Sequence, residues 1–131
     1  MAKMIHSMVR VMDEAKSLAF YEKAFGLKIA DRLDFPDFTL IYLSNPETTF
    51  ELELTVNKGR TEAYQQGNAY GHLAVIVDDL ASERARIAGE GLAPGDIKHM
   101  QHDGKPLGSF FFITDPDGYK IEVLQKGGRF C

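Results

Sequence analysis

His6–Ala15, HSMVRVMDEA, lies over His72–Ala81, HLAVIVDDLA, with one residue slipped. Each stretch opens on a histidine, continues as a strand-like apolar run, and reaches an aspartate suited to cap a helix. Each helix that follows ends in Gly-Leu, at Gly26-Leu27 and Gly91-Leu92, and glycine is the usual stop signal. The chain therefore reads as one unit written twice.

Working outward, the first copy begins with a strand over Met4–Val11. A helix from the Asp13 cap to about Phe25 follows, with Leu18, Tyr21 and Phe25 expected on its buried stripe. Lys28–Asp34, Phe38–Leu43 and Thr48–Val56 are strand-like, separated by the turn sequences FPD and SNPE. In the second copy Tyr70–Val77 is a strand and Asp78 or Asp79 caps a helix carrying Leu80, Arg84, Ile87 and Ala88. Strands are then expected at about Gly95–His99, Ser109–Thr114 and Tyr119–Gln125, the last two joined by the turn DPDG. Both halves read β-α-β-β-β, about residues 4–56 and 70–126, within a single domain spanning 1–131.

A length of 131 residues suits one domain, and 44% apolar residues can fill its core. The net charge of −4 gives no footprint for nucleic acid or for an anionic membrane, so neither is expected as a partner. Cys131 is the only cysteine, which excludes an intrachain disulfide. With no signal peptide or apolar run of spanning length in view, a reducing cytoplasm is the expected location.

FELELTVNKG, Phe50–Gly59, carries the chemistry. In a strand, Glu51 and Glu53 share one face while Phe50, Leu52 and Leu54 share the other. Parity cannot separate the two carboxylates, but the repeat does. Laying FELELT over YKIEVL sets Glu53 on Glu122 and Glu51 on Lys120. His6, Glu53, His72 and Glu122 are thus one histidine and one glutamate from matching positions of each half. Singly, each histidine reads as structural and each glutamate as solvated. Jointly they make a metal site: mixed N/O donors without thiolate suit Ni²⁺, Co²⁺ or Zn²⁺, and two carboxylates balance the ion's charge. An octahedral ion held this way keeps two positions for water or substrate.

MIHSMVRV, ELTVNKG, AYGHLAV and DPDGYKIEV resemble the four signature segments of glyoxalase I, the lactoylglutathione lyases of the vicinal-oxygen-chelate superfamily. The resemblance implies an α+β fold of two tandem βαβββ modules forming a curved mixed sheet around a metal site. It implies His6, Glu53, His72 and Glu122 as the ligands, with Arg10 and Asn57 contacting the glutathione moiety. It further implies a homodimer, each site combining the first half of one chain with the second half of another. The substrate would be the hemithioacetal of glutathione and methylglyoxal, whose adjacent oxygens bind the metal in place of water. Lewis-acid polarisation would acidify the C–H and stabilise the enediolate, and a carboxylate would move the proton to give S-D-lactoylglutathione. Glu122 is taken as the main base, with Glu53 on the opposite side. Histidine at position 6 resembles the bacterial enzymes that prefer nickel or cobalt to zinc, so Ni²⁺ is the expected ion.

Two features depart from the family. Asn68 stands where some members carry an arginine for a glutathione carboxylate, and Arg60 or Lys105 could substitute. His99 and His102, in KHMQHDGK, lack companion carboxylates and are left outside the metal site. The alternatives are another enzyme of the superfamily, a thiol transferase or dioxygenase with fewer protein ligands, or a metal-free drug-sequestering protein. A full set of four ligands speaks against both.

Overall fold

The computed structural model describes residues 1–131. The chain forms two compact units, Met1–Gln65 and Gln66–Cys131. In the first, β1 (His6–Arg10) leads through α1 (Glu14–Phe25) to β2 (Lys28–Asp34), β3 (Phe38–Ser44) and β4 (Glu51–Asn57). The second has β5 (Leu73–Val77), α2 (Leu80–Gly89), β6 (Lys98–His102), β7 (Lys105–Thr114) and β8 (Lys120–Gln125). The anticipated mixed sheet takes the form of two four-stranded sheets, ordered β1-β4-β3-β2 and β5-β8-β7-β6. In each sheet the first strand of the unit lies parallel to the last, and the remaining pairs are antiparallel. Parallel neighbours cannot be joined by a hairpin, so the helix and two strands between them form the crossover.

Alternation decides what each sheet shows. In β3, Thr39, Ile41 and Leu43 are buried, and in β4, Leu52 and Leu54 are buried with Val9 of β1. Those residues form the core face. His6, Met8 and Arg10 of β1 lie on the other face, as do Glu51, Glu53, Thr55 and Asn57 of β4 and Leu40 and Tyr42 of β3. β2 is exposed along its whole length and carries Lys28, Asp31, Arg32 and Asp34, charges that discourage edge-to-edge pairing.

Both helices start at the expected caps. Asp13 accepts from the Lys16 backbone N–H at 3.1 Å, and Asp79 from that of Ser82 at 3.0 Å. Each cap lies seven residues beyond its histidine, so the two copies align there without the anticipated slip. Gly26 closes α1 at φ 64°, in the left-handed region, and its N–H bonds back to Glu22 and Tyr21. The buried stripe of α1 is Ser17, Phe20, Tyr21 and Ala24, rotated from the expected Leu18, Tyr21 and Phe25. Ala24, being small, can sit against the sheet where Phe25 cannot. In α2, Leu80 and Ile87 are buried and Ala88 is exposed. The second strand of the second copy runs from Lys98 to His102 rather than Gly95 to His99, and β7 starts four residues early, at Lys105. The turn at Asp103 and Gly104, both with positive φ, joins the two as a hairpin and moves both boundaries.

No helix is long and apolar enough to cross a membrane. The Ser82 backbone N–H, and after it the Ser82 hydroxyl, hold the Asp79 carboxyl below its ordinary value. A lowered pKa means stability that is present above the unfolded value, about 3.9, and lost as pH falls through the folded one. Asp79→Ala should therefore be less stable than wild type at pH 7. The gap should close in acid, measured by urea unfolding across pH.

Candidate metal centre

β1 and β4 run parallel with Met8 opposite Glu53, and His6 sits two residues before Met8 on the same face. His6 faces Glu51 in register, yet its Nε2 lies 2.9 Å from Oε2 of Glu53. Of the two carboxylates on this face, Glu53 is the one that His6 pairs with. Glu53 is 8% exposed, because β4 lies between β1 and β3, whereas the His6 side chain on the edge strand is 36% exposed.

The second unit repeats the arrangement. Ala74 of β5 stands opposite Glu122 of β8, His72 lies two residues before Ala74, and its Nε2 is 3.5 Å from Oε1 of Glu122. The Glu122 side chain is 13% exposed and that of His72 41%. Each unit thus brings together one imidazole nitrogen and one carboxylate oxygen. No group of three or more histidine, cysteine, aspartate or glutamate side chains gathers as a metal site in the chain.

These pairs fit a divalent ion. Donors about 2.0–2.2 Å from a common ion lie about 2.8–3.6 Å apart at right or tetrahedral angles. The two N···O separations, 2.9 and 3.5 Å, match that range. Within its own unit each pair could offer an ion one nitrogen and one oxygen, from His6 and Glu53 in the first and from His72 and Glu122 in the second.

What flanks the pairs differs. Tyr42 of β3 is opposite Glu53, and its ring meets the His6 ring edge-on at 5.8 Å between centroids. Burial first, then the charge of Glu53, raises the Tyr42 phenol above its ordinary pKa. In the second unit Phe112 of β7 is opposite Glu122 and meets the His72 ring edge-on at 5.3 Å. Sequence reasoning passed over Tyr42. The signal was present in the repeat, since Tyr42 and Phe112 each lie two residues before the end of their strands.

Arg10 and Asn57 lie on the same face as His6 and Glu53, toward the far ends of β1 and β4. The Asn57 amide donates to the Tyr64 hydroxyl at 2.9 Å, and the Arg60 guanidinium stacks 4.1 Å from the centre of the Tyr64 ring. Arg60 also donates to the backbone carbonyls of Glu62 and Ala63. Those bonds hold the Arg60 side chain against its own loop. His99 bonds the Ser109 hydroxyl at 2.7 Å, and His102 is exposed beside Asp103. In the DPDG turn, the buried Asp115 carboxylate accepts from the backbone N–H groups of Asp117 and Tyr119, both at 2.9 Å. That turn delivers the chain into β8 with Glu122 on the open face.

The family model described as the Glyoxalase/Bleomycin resistance protein/Dioxygenase superfamily matches residues 3–123. The chain belongs to this superfamily. Within the superfamily it stands among the lactoylglutathione lyases. It is 42% identical over 130 residues to the lactoylglutathione lyase of Neisseria meningitidis serogroup A, covering 95% of this chain and 91% of the relative. It is 37% identical to that of Salmonella typhimurium, covering 94% and 92%. Among solved structures, Leishmania major glyoxalase I, described as trypanothione-dependent, superposes with a TM-score of 0.76 at 35% identity, covering 95% of this chain and 87% of that one. Glyoxalase I from Zea mays gives 0.78 at 30% identity, covering 96% of this chain and 45% of that longer one. These likenesses agree with the expected fold and family.

The contacts of this superfamily member make a direct prediction about FELELTVNKG. Glu53→Gln should weaken binding of Ni²⁺ by about 10-fold or more, as even outer-shell losses do. Glu51→Gln should leave it unchanged, both read by calorimetric titration.

Proposed function

We propose that this chain is a metal-dependent lactoylglutathione lyase. It would isomerise the hemithioacetal of glutathione and methylglyoxal to S-D-lactoylglutathione, and so detoxify methylglyoxal in the cytoplasm. The observation that carries the reading is the matched placement of His6 beside Glu53 and His72 beside Glu122, on the open faces of two sheets built alike. Relatives at 33–42% identity that bear the lactoylglutathione lyase name support it.

A divalent ion, Ni²⁺ on this reading and Co²⁺ or Zn²⁺ as further candidates, would supply a Lewis acid that acidifies the substrate C–H. Glu122 would take the proton from the sulfur-bearing carbon and return it to the neighbouring one while the hydroxyl proton passes from the first oxygen to the second, so that CH(OH)–C=O becomes C(=O)–CH(OH) with no change in charge. Glu53 stands on the opposite side, and the two imidazoles hold the donor set in place. Arg10 and Asn57 bind the glutathione part, the one by charge and the other through its amide.

A half-site with two donors leaves an ion short of protein ligands. Completion comes from a homodimer in which the first unit of one chain joins the second unit of its partner. Exposed apolar side chains such as Met4 at 82% and Ile5 at 57%, beside the strand that carries His6, support burial against a second copy.

Two experiments test this. Protein stripped of metal and reloaded with Ni²⁺, Co²⁺ or Zn²⁺ should isomerise the hemithioacetal with at least one ion; no turnover with any of them overturns the proposal. Glu53→Gln and Glu122→Gln chains, each inactive alone, should regain activity on mixing and subunit exchange. A mixed dimer holds one site with both glutamates intact, whereas sites built within one chain would stay dead.

A further inference from the structure

We propose that Tyr64 is a further substrate-binding residue: its hydroxyl and the Asn57 amide together receive the amino-acid end of the thiol, a carboxylate and an ammonium carried on one carbon. The inference rests on the proposed lyase function and deepens it, since glutathione has such a group at its γ-glutamyl end.

Asn57 is the last residue of β4 and lies on the open face with Glu53. A tight turn begins there. The Arg60 N–H bonds back to the Asn57 carbonyl at 3.4 Å, and Gly59 between them takes φ 80°, the left-handed value that the third place of a type II turn requires. The reversal brings Tyr64 back to the strand end, where the Asn57 amide nitrogen donates to its hydroxyl at 2.9 Å. Arg60 fixes the ring as well: its guanidinium lies 4.1 Å from the ring centre and donates to the Glu62 backbone carbonyl at 2.9 Å. Asn57 and Tyr64 are both half-buried.

What the pair can bind follows from the direction of that bond. An amide whose nitrogen faces the hydroxyl turns its carbonyl oxygen the other way, as an acceptor. A phenol that accepts still carries one proton to donate. One donor and one acceptor thus stand side by side. A carboxylate takes the phenolic proton and an ammonium donates to the Asn57 oxygen, each a charge-assisted bond. Arg60, held against the ring, and Arg10, on the same face as Asn57 and opposite Thr55, add positive charge for the carboxylate. The glycyl end of glutathione has a carboxylate alone and would leave the Asn57 oxygen without a donor. The pair therefore selects the γ-glutamyl end.

The test uses the full-length, metal-loaded protein and Tyr64→Phe, which keeps the ring beside Arg60 and removes only the hydroxyl. S-methylglutathione, a thioether that cannot turn over, is titrated by calorimetry beside its analogues without the α-carboxylate or without the α-ammonium. For the hemithioacetal, kcat and KM are measured. Tyr64→Phe should bind S-methylglutathione about 10-fold more weakly, the worth of one hydrogen bond to a charged group, and raise KM by a similar factor with kcat kept. The analogue without the α-carboxylate should bind wild type and Tyr64→Phe alike. The analogue without the α-ammonium should bind wild type more weakly than S-methylglutathione does. A hydroxyl that only braced the loop would, when lost, weaken all three ligands equally. That result overturns the proposal, as does equal affinity of the two proteins for S-methylglutathione, or full wild-type affinity for the ligand without the ammonium. Any of these with an active wild-type enzyme refutes the Tyr64 inference alone. A wild-type protein that binds no S-methylglutathione and turns over no hemithioacetal refutes the lyase function itself, and this inference with it.

Discussion

The pairing of each unit's first strand with its last, parallel and in a single register, is the constraint on which the rest depends. β1 beside β4 sets Met8 against Glu53, and from there His6 reaches the carboxylate across the strands rather than its own register partner. A slip of one residue would turn Glu53 into the core and Leu54 out of it, at the cost of a buried charge and an exposed leucine. The hydrophobic alternation of ELELTV therefore does more than fill a core, because it aims a carboxylate. The central place of β4 buries that carboxylate, and His6 makes its burial tolerable by pairing with it. The histidine, on an edge strand, keeps its access.

Duplication accounts for how much of this could be read from the chain. The β-α-β-β-β order, both caps and both glycine stops were legible because they depend on local chemistry: an aspartate before a helix, a glycine after it, a turn between apolar runs. The pairing of His6 with Glu53 was legible only through comparison with His72 and Glu122, since neither residue carries a local signal. Glu51 shows the limit of parity and Lys120 the strength of the repeat, for the copy with lysine at that place cannot have a ligand there.

The misreadings have a common cause. The stripe of α1, the onset of β7 and the significance of Tyr42 are set by partners far away in sequence. Ser17 is buried, and Phe25 is not, through the approach of the sheet. β7 extends because a left-handed turn at Asp103 and Gly104 lets Lys105 pair with His102. Tyr42 reads as one more aromatic in a strand until the register sets it against Glu53.

On the proposed reading, metal binding and proton transfer make opposed demands on the same residue type. A ligand stabilises an ion best when its oxygen is held still, and a base that carries a proton between two carbons must move. A perfect repeat would meet one demand twice. This repeat keeps the strand position, the burial and the imidazole partner of the glutamate alike and changes the side chain across from it, Tyr42 at Glu53 and Phe112 at Glu122, so the two carboxylates meet different surroundings on one backbone plan.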